Sequence, residues 1–145
     1  MRMRKIAYWT FTVLLGAFLL MGALPDIGKA AGAITVMEHL GYPVYLLPFI
    51  GIAKVLAILA LLVGGFPRLK EWAYAGLTFD MTGALYSHLS VGDPPSVWLF
   101  AVVGLLLMAA SYLLYRGVRA VESDLYAGRF TRGRTGGAAR TAASW

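Results

Sequence analysis

Six side chains capable of chemistry stand in or beside apolar stretches of this chain: Lys54, Asp80, Ser87 and His88, with Glu38 and His39 ending a shorter segment upstream. An ionisable group in apolar surroundings is costly unless it is paired or hydrated, so each such residue marks a function or a structural pair. An ammonium and a carboxylate can neutralise one another, hold a proton, or take the polar end of an otherwise apolar molecule. Gly76, Asp80, Gly83, Ala84, Ser87 and His88 recur at helical spacing and form one stripe, whose small residues read as a packing seam. Glu38 lies nearer the apolar side of its segment than His39 and is the one expected to turn inward. The candidate ligand-binding set is therefore Lys54, Asp80, Ser87, His88 and Glu38. No catalytic residue can be named. There is no cysteine, which removes thiolate metal sites and cysteine nucleophiles. No H-x-x-x-H or H-E-x-x-H pattern, phosphate-binding Gly loop or nucleophile elbow occurs, so no metal site is expected.

The elements that must position these residues are legible from composition. Of 145 residues, 59% are hydrophobic and 14% charged; mean hydropathy is +0.70. A soluble domain of this size could not hide that much apolar surface, and a disordered chain would carry far less of it. A membrane-spanning helix needs about 20 mainly apolar residues, and four segments qualify: 6–24, 44–66, 72–91 and 97–115. The expected fold class is an all-α membrane protein, a bundle of four transmembrane helices with a short amphipathic helix between the first two. The breaks carry turn chemistry: Pro25-Asp26, Gly41-Tyr42-Pro43, Gly64-Gly65-Phe66-Pro67 and Gly92-Asp93-Pro94-Pro95. At 1.5 Å per residue Lys54 lies about 15 Å into its span and Asp80 about 12 Å into the next, antiparallel one. In a core of about 30 Å those depths nearly coincide, so the two are expected to pair. His88 falls close to the opposite, outer end, which favours ligand entry from that side.

Thirteen Lys and Arg face seven Asp and Glu, for a net charge of +6. Eleven of the thirteen fall in three places: Arg2, Arg4 and Lys5; Arg68 and Lys70; and Arg116, Arg119, Arg129, Arg132, Arg134 and Arg140. Four antiparallel spans put those three places on one side, which the positive-inside rule makes cytoplasmic. The expected topology is multi-pass, with both termini cytoplasmic. The apolar run after the basic N-terminus is longer than a signal-peptide core and lacks a clean small-x-small site, so it reads as a retained span. Residues 26–41 read as an amphipathic helix on the outer side. Residues 1–116 make the membrane domain, and 117–145 a basic tail, disordered over 131–145. The charge is not interleaved with aromatics as nucleic-acid surfaces are, so no nucleic-acid partner is expected.

Four blocks, Leu40-Gly41-Tyr42-Pro43-Val44-Tyr45, Gly51-Ile52-Ala53-Lys54-Val55-Leu56, Lys70-Glu71-Trp72-Ala73-Tyr74-Ala75-Gly76, and Gly83-Ala84-Leu85-Tyr86-Ser87-His88 followed by Gly92-Asp93, together resemble the DoxX-like family of small four-helix bacterial membrane proteins. The resemblance covers roughly residues 6–116 and implies the four-helix bundle, placed in the bacterial inner membrane. The broader group includes a membrane subunit of a thiosulfate:quinone oxidoreductase, which would make Lys54, Asp80 and His88 pocket residues. Lys54 stands where other branches favour a carboxylate. The function that follows is an accessory protein binding a small apolar molecule such as a quinone within the bundle, without activity on its own. The alternatives are a membrane subunit of a quinone-linked oxidoreductase, which would borrow its redox centre from a partner protein, and a small transporter, which would need a homo-oligomer. No cofactor motif is evident; the lipid bilayer is the partner common to all three.

Overall fold

The structure, a computed structural model, describes the backbone of residues 2–142 and the side chains of residues 2–127. The described residues are helical apart from short connections: α1 (Arg2–Ile27), α2 (Ala31–His39), α3 (Leu46–Leu62), α4 (Pro67–Ser90) and α5 (Pro95–Ala142). Prolines open α4 and α5, where a missing amide hydrogen costs nothing. Glycines close α2 and α4. Gly41 and Gly92 both take φ +77°, and each sits in a Schellman motif. The amides of Gly41 and Tyr42 donate to the carbonyls of Glu38 and Met37, and those of Gly92 and Asp93 to Leu89 and His88. These two helix ends set the positions of Tyr42 and Asp93.

Helices α1, α3, α4 and α5 pack as a ring in which α1 touches α3 and α5, and α4 touches the same two; α2 leans on α1 and α3. The core lies inside the ring and includes Tyr8, Leu15, Leu19, Ile58, Leu61, Tyr74, Leu77, Met81 and Met108. The outside is apolar as well: Phe49, Trp72, Phe79, Tyr86, Leu106 and Leu113 are all largely exposed. A water-soluble protein does not present apolar side chains on all its outer faces. By length and composition, α1 and the 95–127 part of α5 can each cross a membrane. The four spans expected from hydropathy are thus recovered in part. Helix α3 is apolar but has only 17 residues, about 26 Å of helix. It begins after Pro43 and stops before Gly64-Gly65. Helix α4 has 24 residues, but Asp80, Ser87, His88 and Ser90 lower its hydropathy.

Boundaries differ from expectation in two further places. Helix α4 starts five residues earlier than the hydrophobic run, taking Lys70 into its first turns. Helix α5 continues as helical backbone to Ala142, where a disordered stretch from 131 is expected; no proline follows Pro95 to interrupt it. Residues 143–145 of that stretch lie outside the described residues. Before that stretch, the start of the tail packs on the bundle, through Lys5 to Glu122 at 2.6 Å and Arg119 to Glu71 at 3.6 Å.

Candidate functional site

Between α3 and α4 runs a groove of about 400 Å³. Small residues open it: Ala53, Ala57 and Ala60 on α3, Ala73 and Gly76 on α4, with Phe49, Leu56 and Trp72 at its rim. The charged side chains lining it are Lys54 and Asp80. A Cβ added at Gly76 or Gly83 would meet nothing within 4 Å. The seam expected from Gly76, Gly83 and Ala84 is therefore absent: the helix is rotated so that Gly76 opens the groove and Gly83 faces outward.

Lys54 and Asp80 do meet, at 3.6 Å, but a third group is closer. Lys54 Nζ donates to Asp26 Oδ2 at 3.0 Å. Asp26 sits in the last turn of α1, which carries on through Pro25 to Ile27. Reading Pro25-Asp26 as a break hides this residue; a proline within the last turn of a helix, followed by an acid, is the signal that could have found it. One ammonium thus serves two carboxylates, all three side chains being no more than about a quarter exposed. Asp26 takes the hydrogen bond. Asp80 Oδ2 is buried without one.

The other expected site residues are elsewhere. Ser87, His88 and Glu38 do not line the groove, which extends along α4 from Asp80 toward Leu69, away from His88. The groove thus holds two of the five expected ligand-binding residues, Lys54 and Asp80. Ser87 is buried, donates to the Gly83 carbonyl at 2.7 Å and lies 2.9 Å from the Tyr42 hydroxyl. His88 Nδ1 is 2.6 Å from Asp93 Oδ2, and His39 Nε2 is 2.7 Å from Asp93 Oδ1. One carboxylate in the α4–α5 connection therefore holds a histidine from α4 and another from the end of α2. Hydrogen bonds from His88 first, then His39, hold the Asp93 carboxyl below its ordinary value of 3.8. Glu38 is exposed and its carboxylate has no partner among the described residues. Neither residue at the end of α2 is buried: His39 stays half-exposed while it reaches Asp93, and Glu38 makes no such contact. Among the described residues no group of three potential ligands could hold a metal ion.

Two polar features inside the ring were not legible in the hydropathy pattern. Ser111 Oγ lies 2.9 Å from Thr12 Oγ1 and 2.7 Å from the Tyr74 hydroxyl, tying α1, α4 and α5. Lys70, read from sequence as a topology-setting charge, is buried; it donates to the Tyr8 hydroxyl at 2.9 Å and sits 5.4–5.8 Å from the ring centroids of Tyr8, Trp9 and Tyr115. Such rings stabilise an ammonium by about 0.5–2 kcal/mol each. These groups satisfy one another across α1, α4 and α5 and so brace the fold.

No match is found for the chain among the curated proteins or the solved structures. The model of one protein family, described as the DoxX-like family, matches residues 10–111.

Proposed function

The chain belongs to the DoxX-like family, a membrane protein, and from that premise we propose that it spans the bacterial inner membrane four times through α1, α3, α4 and α5. Both ends are cytoplasmic, and the protein binds a small apolar molecule in the groove between α3 and α4. The quinones are the first class of candidate. The observation that carries this reading is the groove itself: an apolar channel with Lys54 and Asp80 as its charged groups. Ligand sites have this character, apolar walls with a few polar groups that orient the guest. The volume lies within the range of about 300–1,000 Å³ usual for such sites. The rim of exposed aromatic and aliphatic side chains faces sideways from the ring, so a lipid-dissolved molecule reaches it from the membrane.

The test is binding of a short-chain quinone such as decylubiquinone to the purified protein in detergent. Gly76→Leu fills the groove without displacing a neighbour, since a Cβ there meets open space, and should reduce affinity at least about tenfold. His88→Ala, outside the groove, should leave affinity unchanged. Binding that survives Gly76→Leu and fails in His88→Ala would reverse the assignment.

A further inference from the structure

Lys54 is satisfied and Asp80 is not. Lys54 gives its shortest contact to Asp26. The Asp80 carboxylate accepts no hydrogen bond from any described residue, and its contact to Lys54 is the longer one, 3.6 Å, beyond hydrogen-bond range. A buried acceptor left without a donor is destabilising, and native structures supply one from protein, water or ligand. Asp80 Oδ2 is the buried oxygen, turned toward Lys54. The side chain is nevertheless 26% exposed and lines the groove, so a guest in the groove reaches the carboxylate. The charge count points the same way: two carboxylates share one ammonium, leaving the site short of positive charge.

We propose that the ligand of this groove presents a free hydroxyl to Asp80: a lipid-soluble phenol or quinol, in preference to a molecule whose polar end is a carbonyl or an ether. The proposal rests on the groove being the ligand site. A hydroxyl donates to Asp80 and, through its lone pairs, accepts from one of the two remaining Lys54 hydrogens. A carbonyl accepts from Lys54 but leaves Asp80 unmatched. A carboxylate ligand adds a third negative charge beside one ammonium. For a quinone-type guest, the reduced form is therefore the one held.

A matched pair of probes reads this directly. 4-Nonylphenol and its methyl ether, 4-nonylanisole, differ by one donor hydrogen. The wild-type protein in detergent should bind the phenol at least about tenfold more tightly, the scale expected when a site built for a hydroxyl meets an analogue lacking it. In Asp80→Asn the amide offers a donor as well as an acceptor, so the preference should fall to within about twofold. That variant is nearly isosteric and leaves Lys54 bonded to Asp26, so the bundle keeps its packing. Equal binding of phenol and ether by the wild type, with both lost in Gly76→Leu, would overturn the donor assignment, because Asp80 would then carry its own proton; the groove would still stand. A phenol preference that persists in Asp80→Asn would also overturn it. Failure of both probes to bind would remove the groove reading along with it.

Discussion

Lys54 is the residue on which the charge balance of the bundle turns. Replacing it by Met leaves Asp26 and Asp80 facing one another across α1 and α4 without a cation. Breaking a buried pair in this way costs about 3–5 kcal/mol. Asp80→Asn is milder, about 1 kcal/mol, because Lys54 keeps its 3.0 Å bond to Asp26. Thermal unfolding in detergent should therefore rank Lys54→Met well below Asp80→Asn. The double variant should stay close to Lys54→Met, since Asp26 remains uncompensated, and adding Asp26→Asn should recover stability. A Lys54→Met/Asp80→Asn protein as stable as the wild type would mean that Asp26 plays no part. The pairing of Lys54 with Asp80 was legible from the depth of each in its helix. The stronger contact to Asp26 was not, since it depends on α1 passing through Pro25 and on how α1 faces α3.

Helices α1 and α3 meet at Gly51. A Cβ there would lie 2.7 Å from Ile27 Cγ1, 2.8 Å from the Ala23 carbonyl oxygen and 2.9 Å from the Ile27 nitrogen. Two of those atoms are backbone and cannot rotate away, so the helices must separate. This contact is what brings Asp26 over Lys54, three residues further along α3. Gly51→Ala should cost about 1–3 kcal/mol and lengthen the Asp26–Lys54 contact. Gly76→Ala and Gly83→Ala, where a Cβ meets open space, should be neutral or slightly stabilising through helix propensity. Unfolding of the three variants in the same detergent checks this; equal effects at all three positions would refute it. Sequence spacing put Gly76 and Gly83 on a packing stripe, because it gives the stripe on which a residue falls and not the direction in which the stripe points.

At the scale of the whole molecule, the expected orientation follows from the basic residues at the N-terminus, at the start of α4 and after Tyr115. Reporter fusions after Gly32 and Pro94 should appear outside, and those after Pro67 and Arg119 inside; an outside C-terminus would refute it. The sequence by itself determined that the chain is helical, that its surroundings are apolar, and where most helices end. Those properties follow from local composition: long apolar runs, prolines that open helices and glycines that close them. Beyond the Lys54–Asp80 pair, only the tertiary structure decided which polar groups meet. It split the expected site in two, leaving Lys54 and Asp80 on the groove with Asp26 behind them, and placing Ser87 with Tyr42 and His88 with Asp93 and His39. It also turned Lys70 from a surface charge into a buried one. The reason is geometric. A one-dimensional pattern fixes depth along a helix, but the rotation of each helix about its axis is set by close contacts such as Gly51 on Ala23, and that rotation selects each side chain's neighbours.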